Sequence, residues 1–144
     1  MATVYGVNAT LNNNTSTRHQ SALPVDEQGG RIRWITDSYE CVATASGTDI
    51  ILGGKVPKDA QILPGSYLYH DDMGAGGGTL SVGTSVAGVD LAALEDVGTA
   101  AGNVQLNHTI DLFGTKTSAA VNVHVTPTFA MTGTIRLSLL YAMA

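Results

Sequence analysis

Residues 121–141 read VNVHVTPTFAMTGTIRLSLLY, and apolar side chains occupy alternate positions on both sides of a turn-prone centre. The alternating apolar residues are Val121, Val123 and Val125, followed by Ile135, Leu137, Leu139 and Tyr141. A period of two is typical of a β-strand with one buried face. Residues 104–112 repeat the pattern, and breaks at 113–114 and 131–133 separate the three segments. We therefore expect three strands of an antiparallel meander.

A further strand is predicted around the tryptophan of the chain. Ile32 and Trp34 share one face of this strand, whereas Tyr39 and Cys41 occupy the alternate positions. One extra residue in a strand moves every later side chain to the opposite face. We therefore expect a β-bulge near Asp37 and Ser38, where the apolar pattern changes register.

The middle of the chain contains shorter apolar segments with clear breakers. Residues 48–52 predict a strand that Gly53 and Gly54 end. Residues 61–70 predict another strand, in which Pro64 must lie at an edge or a bulge because it cannot donate a backbone hydrogen bond. Residues 79–82 predict a brief strand after a glycine-rich loop. Residues 89–94 have helical character, with Asp90 as a possible N-cap.

Together these segments predict an all-β fold, an antiparallel β-sandwich or jelly-roll-like domain. A chain of 144 residues suits one domain, which we assign to residues 24–144.

Residues 1–23 differ in composition because they include the polar run NNNTST at 12–17. Such a segment buries too little apolar surface to order itself. We expect it to be either a flexible tail or an extended N-terminal arm that orders against a partner.

Composition and charge exclude several classes of protein. The net charge of −5 argues against nucleic acid as a partner. Cys41 is the only cysteine, which excludes an intrachain disulfide and a cysteine-based zinc site. No apolar run approaches the ~20 residues of a membrane span. The first residues lack the features of a signal peptide, so we expect the product to be made in the host cytoplasm and to have no membrane partner.

No sequence motif indicates catalysis. Residues 83–87 read GTSVA, which lacks the last glycine of a nucleophile elbow. Residues 74–79 read GAGGGT, which lacks the lysine of a phosphate-binding loop. The adjacent acids at 26–27 and 95–96 fall in predicted loops, the usual arrangement of solvated carboxylates. We therefore predict that the protein is not an enzyme and has no catalytic residues.

Possible metal ligands are few and scattered. His70, Asp71 and Asp72 are adjacent, but successive side chains of a strand point to opposite faces. His108 and His124 fall on separate predicted strands. We therefore expect hydrogen-bonded or solvent-facing histidines, with no metal site and no bound cofactor.

The order of segments resembles a family of small tailed-bacteriophage virion proteins, the head decoration (capsid cement) proteins. The resemblance rests on segments 23–31 (LPVDEQGGR), 33–39 (RWITDSY), 49–62 (DIILGGKVPKDAQI), 79–83 (TLSVG) and the apolar strand 134–142. It implies a β-sandwich that binds the outside of the major capsid protein lattice, often as a homotrimer, without catalytic residues. The implied location is the exterior of the virion capsid.

Two other classes of protein fit the same sequence. One is another virion component, such as a tail or fibre part, because the same amino-acid composition also suits proteins of that kind. The other is a carbohydrate-binding β-sandwich module, in which Trp34, Tyr67 and Tyr69 would form an aromatic platform. Tyr67 and Tyr69 would lie on one strand face, about 6–7 Å apart from the rise of a strand.

Overall fold

The structure is a computed structural model that describes residues 2–6, 32–74, 78–106 and 117–143. Within these ranges the chain forms ten strands and no helix, and so no helix that could cross a membrane. The strands are β1 (Thr3–Tyr5), β2 (Ile32–Thr44), β3 (Asp49–Val56), β4 (Ala60–Ile62), β5 (Tyr67–His70), β6 (Thr79–Gly83), β7 (Ala92–Asp96), β8 (Gly102–Gln105), β9 (Val121–Pro127) and β10 (Met131–Met143).

The strands form two sheets that enclose one core. The first sheet has the order β1-β3-β9-β6-β7. The second has the order β2-β10-β5-β8, and β4 also pairs with β10. Apart from the parallel pairing of β1 with β3, all these pairings are antiparallel. The expected all-β, antiparallel sandwich is confirmed.

The predicted meander is wrong, because its three strands are not neighbours. β9 lies between β3 and β6 in the first sheet, whereas β10 lies between β2 and β5 in the second. β8 pairs with β5, and residues 107–116 lie outside the described ranges. Alternation fixes which face of a strand is buried but not which strand lies beside it. The short connection from β9 to β10 therefore crosses between sheets, and both strands bury their apolar faces in one core.

The core consists of the alternate positions predicted from the sequence. On β10 the side chains of Ile135, Leu137, Leu139 and Tyr141 are buried. The facing sheet contributes Ile50, Leu52, Val123 and Val125, all in the same apolar cluster. Burial of each such side chain contributes about 1.5–3 kcal/mol to the stability of the fold.

The register of β2 differs from the prediction. Ile35 is 1% exposed and Cys41 is equally buried, whereas Trp34 is 47% exposed. Pairing with β10 is unbroken from Ile32 to Cys41, so the bulge expected at 37–38 is absent. The irregularity lies at Val42 and Ala43, where Ala43 has a φ of 47°. The prediction failed because Ile32 and Trp34, although apolar, lie on the exposed face of β2.

Gly53 and Gly54 do not end the third strand but form a bulge inside it. Leu52 pairs with Val123 and Val56 with Val121, so β3 holds extra residues between these two pairs. Gly53 has a φ of +74°, a conformation that glycine adopts without steric cost. A Cβ at this position would also lie 2.6 Å from Ile35 Cγ2. The second sheet approaches so closely here that only glycine fits.

The predicted strand at 61–70 is divided in two by a turn at Pro64 and Gly65. Both halves, β4 and β5, pair with β10. The buried Ser66 bridges the interruption, because its hydroxyl donates to Leu63 O at 2.9 Å and accepts from Leu140 N at 2.9 Å. A side chain thus replaces the ladder hydrogen bonds that the turn removes.

The predicted helix at 89–94 is wrong, since residues 92–96 form strand β7. The carboxylate of Asp90 instead accepts hydrogen bonds from the backbone N and the hydroxyl of Thr84. These bonds close the turn between β6 and β7. Glu95 and Asp96, predicted to be in a loop, also belong to β7. A segment this short does not form a stable helix by itself, and the pairing of Ala92 with Val82 of β6 favours the strand.

Only the first part of the predicted arm is described. Thr3–Tyr5 forms β1 at the edge of the first sheet, and the backbone N of Asp49 donates to Ala2 O at 2.9 Å. Residues 7–23 lie outside the described ranges. The division of the chain into an arm at 1–23 and a domain at 24–144 therefore remains a proposal. In this division the arm begins with β1, which is paired to the first sheet.

The single cysteine provides a test of the core. Burial raises the pKa of the Cys41 thiol, and a weaker hydrogen bond with Thr44 acts in the opposite direction. Because the thiolate is the reactive form, we expect a thiol reagent to label the folded protein far more slowly than the unfolded protein. With dithiobis(nitrobenzoate) as the reagent, the absorbance of the released thionitrobenzoate gives the labelling rate with and without denaturant. Equal rates would contradict the burial of Cys41.

Candidate functional site

The outward side of the second sheet carries a set of aromatic and polar side chains, which we call the outer face. On this face Arg136 of β10 lies between Ser38 of β2 and Tyr69 of β5. The next row places Ser138 between Thr36 and Tyr67, and Leu140 pairs with Trp34 in the row after that. Because alternate residues of a strand share a face, one regular sheet holds all of these groups in fixed register.

The indole of Trp34 is fixed although it is nearly half exposed. Its Nε1 donates a hydrogen bond to Ser138 Oγ at 2.9 Å. Ser138 does not pair with Trp34 itself but with Thr36, two residues further along β2. The indole therefore leans along the strand and over β10, and the hydrogen bond reduces its rotational freedom.

Tyr67 and Tyr69 form an aromatic pair on β5. Their ring centroids are 6.0 Å apart and the ring planes are tilted by 37°. Both side chains lie on the outer face, as their spacing predicts, and Tyr69 is 46% exposed. Trp34 lies on this face as well, across β10. The three aromatic residues singled out from the sequence are thus brought to one side of the molecule.

An open depression of about 570 Å³ lies between Trp34 and Tyr69. It is lined by Trp34, Thr36, Asp37, Ser38, Tyr69, Arg136, Leu137 and Ser138. Arg136 is the charged residue of this group that points outward, because Asp37 belongs to the core face of β2. Among the described residues, no carboxylate lies within ion-pair distance of Arg136. The depression therefore combines aromatic rings, hydroxyl groups and a guanidinium group.

Asp37 lies beneath the depression and joins the two sheets. Its Oδ2 accepts a hydrogen bond from Gly53 N of the first sheet at 2.7 Å, and its Oδ1 accepts from Ser38 N at 2.8 Å. A buried carboxylate is tolerated where donors such as these satisfy it. Sequence reasoning missed this role, because spacing along the chain does not reveal that Asp37 faces Gly53 of the other sheet.

The histidines and acids considered as metal ligands have structural contacts. His70 Nδ1 lies 2.8 Å from Asp71 O, and the carboxylate of Asp71 accepts from Thr134 N at 2.9 Å. Asp72 accepts from Gly74 N.

His124 is buried with its Nδ1 2.8 Å from Asp49 Oδ1, in an ion-pair geometry beside β1. His108 lies outside the described residues, and within them no three such ligands converge.

The segments considered for catalysis are also dispersed. Ser85 lies in an exposed turn in which its carbonyl accepts from Gly88 N. Asp96 accepts from Gly98 N, which closes the turn after β7. Residues 26–27 and 75–77 lie outside the described ranges. None of the described candidates faces the depression.

Solved structures from phage capsids share this fold. A chain of the capsid of Ralstonia phage GP4 is 28% identical, with a TM-score of 0.64, and the match covers 85% of this chain and 91% of that one. A chain of the cyanophage Pam1 capsid asymmetric unit is 17% identical, with a TM-score of 0.61 and coverage of 85% and 92%.

A third similar chain comes from the acid-stable capsid of the Helicobacter pylori bacteriophage KHP30. It is 10% identical, with a TM-score of 0.56, and the match covers 79% of this chain and 89% of that one. No protein-family model and no curated protein sequence matches the chain. These three chains of similar fold all come from phage capsids.

Proposed function

We propose that the chain is a non-enzymatic structural protein of a tailed-phage virion that binds the outside of the major capsid protein lattice and stabilises the shell. The observation that carries the proposal is the match to the chain of the Ralstonia phage GP4 capsid over most of both chains. Near-complete coverage in both directions means that the two chains are of similar length. A small sandwich is suited to cover a lattice, whereas the usual major capsid fold carries a long helix, and the described residues form none.

The proposed mechanism is the burial of protein surface at a contact with capsid subunits. Specific protein interfaces bury about 800 Å² per partner, and shell stability rises with the number of such contacts. The low charge of the chain, 13% of residues, reduces the cost of removing its surface from water. Assembly as a homotrimer, location on the capsid exterior and residence in the host cytoplasm before assembly are parts of the same proposal.

The test is binding to capsids that lack the protein. We expect the purified chain to sediment with such capsids at a saturable ratio and to delay their thermal disassembly. Light scattering coupled to size-exclusion chromatography measures whether the free protein is a trimer. A chain that stays in the supernatant at all concentrations would contradict decoration. Binding to purified tails instead would identify another virion component.

The arm is tested by a deletion that spares β1. Removal of residues 8–20 leaves twelve residues between Gly6 and Ile32, which can span about 40 Å when extended. We expect weaker sedimentation with capsids, because the arm adds contact area when it orders on a partner. The midpoint of denaturant unfolding should be unchanged, since no described strand is lost. Full capsid binding by the shortened chain would contradict a role for the arm.

A further inference from the structure

The depression on the outer face has the dimensions and chemistry of a ligand site. Pockets for small molecules typically measure 300–1,000 Å³ and combine aromatic walls with a few placed polar groups. The volume of about 570 Å³ lies within that range. Decoration of a capsid by buried surface does not require such a depression, so this feature is left unexplained by the proposed function.

The aromatic rings stand on two sides of the depression. Trp34 belongs to β2 and Tyr69 to β5, and β10 lies between them. Two strand spacings separate the outer strands by about 10 Å. Both rings are about half exposed, and the hydrogen bond from Trp34 to Ser138 holds the indole in place. Rings held in this way lose little conformational entropy when a ligand stacks on them.

The floor between the rings is polar. Arg136 and Ser138 of β10 form its centre, and Thr36 and Ser38 of β2 form one side. A guanidinium group offers five N–H donors in a planar arrangement that matches vicinal oxygens or a carboxylate. The residues beyond Tyr67 and Tyr69 on β8 are also polar, namely Gln105 and Asn103.

We propose that this depression binds a saccharide. A pyranose ring has an apolar C–H face, which would stack on Trp34 or Tyr69, and an oxygen-rich edge, which would accept hydrogen bonds from Arg136. A protein partner is the other class that uses tryptophan, tyrosine and arginine. The saccharide is favoured because the floor between the two rings is polar, with Arg136 at its centre, whereas a protein contact needs a broad patch with an apolar centre. This inference does not rest on the proposed capsid role.

The single tryptophan makes the experiment direct. Trp34 is the only tryptophan of the chain, so fluorescence excited at the red edge of the absorption band, where the five tyrosines absorb little, reports on this site. The full chain is first screened on a printed array of neutral and uronic-acid-containing oligosaccharides, and each one bound is titrated in solution. We expect a saturable change in fluorescence. Tyr69→Ala and Arg136→Gln should each weaken binding about tenfold, the equivalent of losing about 1.4 kcal/mol.

The controls separate loss of the site from loss of the fold. Tyr5→Ala removes a similarly exposed tyrosine from the first sheet and should leave saccharide affinity unchanged. All variants should keep the unfolding midpoint of the parent chain within about 3 °C. The inference is overturned if no saccharide alters the fluorescence, or if binding survives both substitutions. It is also overturned if the array is silent and the two substitutions abolish sedimentation with capsids, because the outer face is then a protein interface.

Discussion

Replacement of Ile35 by alanine is expected to lower the free energy of unfolding by about 3 kcal/mol, the usual cost of truncating a buried aliphatic side chain. Ile35 is 1% exposed and packs against the bulge at Gly53 of the facing sheet. The lost methyl and methylene groups leave a cavity that the closely packed glycine backbone cannot fill. Denaturant unfolding followed by circular dichroism measures the change.

The same substitution at Ile32 is the matched control. Ile32 belongs to the same strand but is 62% exposed on the outer face. We expect Ile32→Ala to cost less than about 1 kcal/mol, mostly through reduced β-propensity. A larger loss at Ile32 than at Ile35 would mean that β2 has the shifted register expected from the sequence.

Replacement of Asp37 by alanine is expected to lower the free energy of unfolding by a similar amount, about 3 kcal/mol. The substitution leaves two backbone donors, Gly53 N and Ser38 N, without their acceptor. The hydrogen bond to Gly53 is buried, so water cannot replace the carboxylate without entering the space between the sheets. The measurement is again denaturant unfolding.

Two further substitutions determine the origin of the effect. Asp37→Asn keeps the shape and one acceptor oxygen, so we expect a loss intermediate between the parent and the alanine variant. Glu40→Ala removes an exposed acid from the same strand and should change stability by less than about 0.5 kcal/mol. If Asp37→Ala were as stable as Glu40→Ala, the carboxylate would not join the two sheets.

The apolar alternation predicted much of this fold because it reports directly on burial. It located β9 and β10 and identified the core residues of β10. It did not identify the strands beside β9 and β10, since the alternation of side chains does not depend on which strands are hydrogen-bonded to each other. The connection that crosses between sheets after Pro127 was therefore interpreted as a hairpin of one sheet.

The candidate site was partly accessible to the same reasoning. Spacing alone placed Tyr67 and Tyr69 on one face. The opposition of Trp34 and Tyr69 across β10 depends on strand order, and the contribution of Arg136 depends on pairing register. The structural role of Asp37 could not be predicted, because the Gly53 N–H that satisfies its carboxylate lies on another sheet.

The position of β10 in the second sheet also determines when the protein can fold during translation. β2 pairs with β10, which is encoded about ninety residues later, at a distance that a ribosome covers in on the order of ten seconds. Until then the backbone hydrogen-bonding groups of β2 have no native partner strand, because β10 is its neighbour in the sheet. In the first sheet, β3 and β6 likewise lack their shared neighbour until β9 has been synthesised. Until β9 and β10 have been synthesised, we expect these unpaired strand edges to be the part of the nascent chain most exposed to association with neighbouring chains.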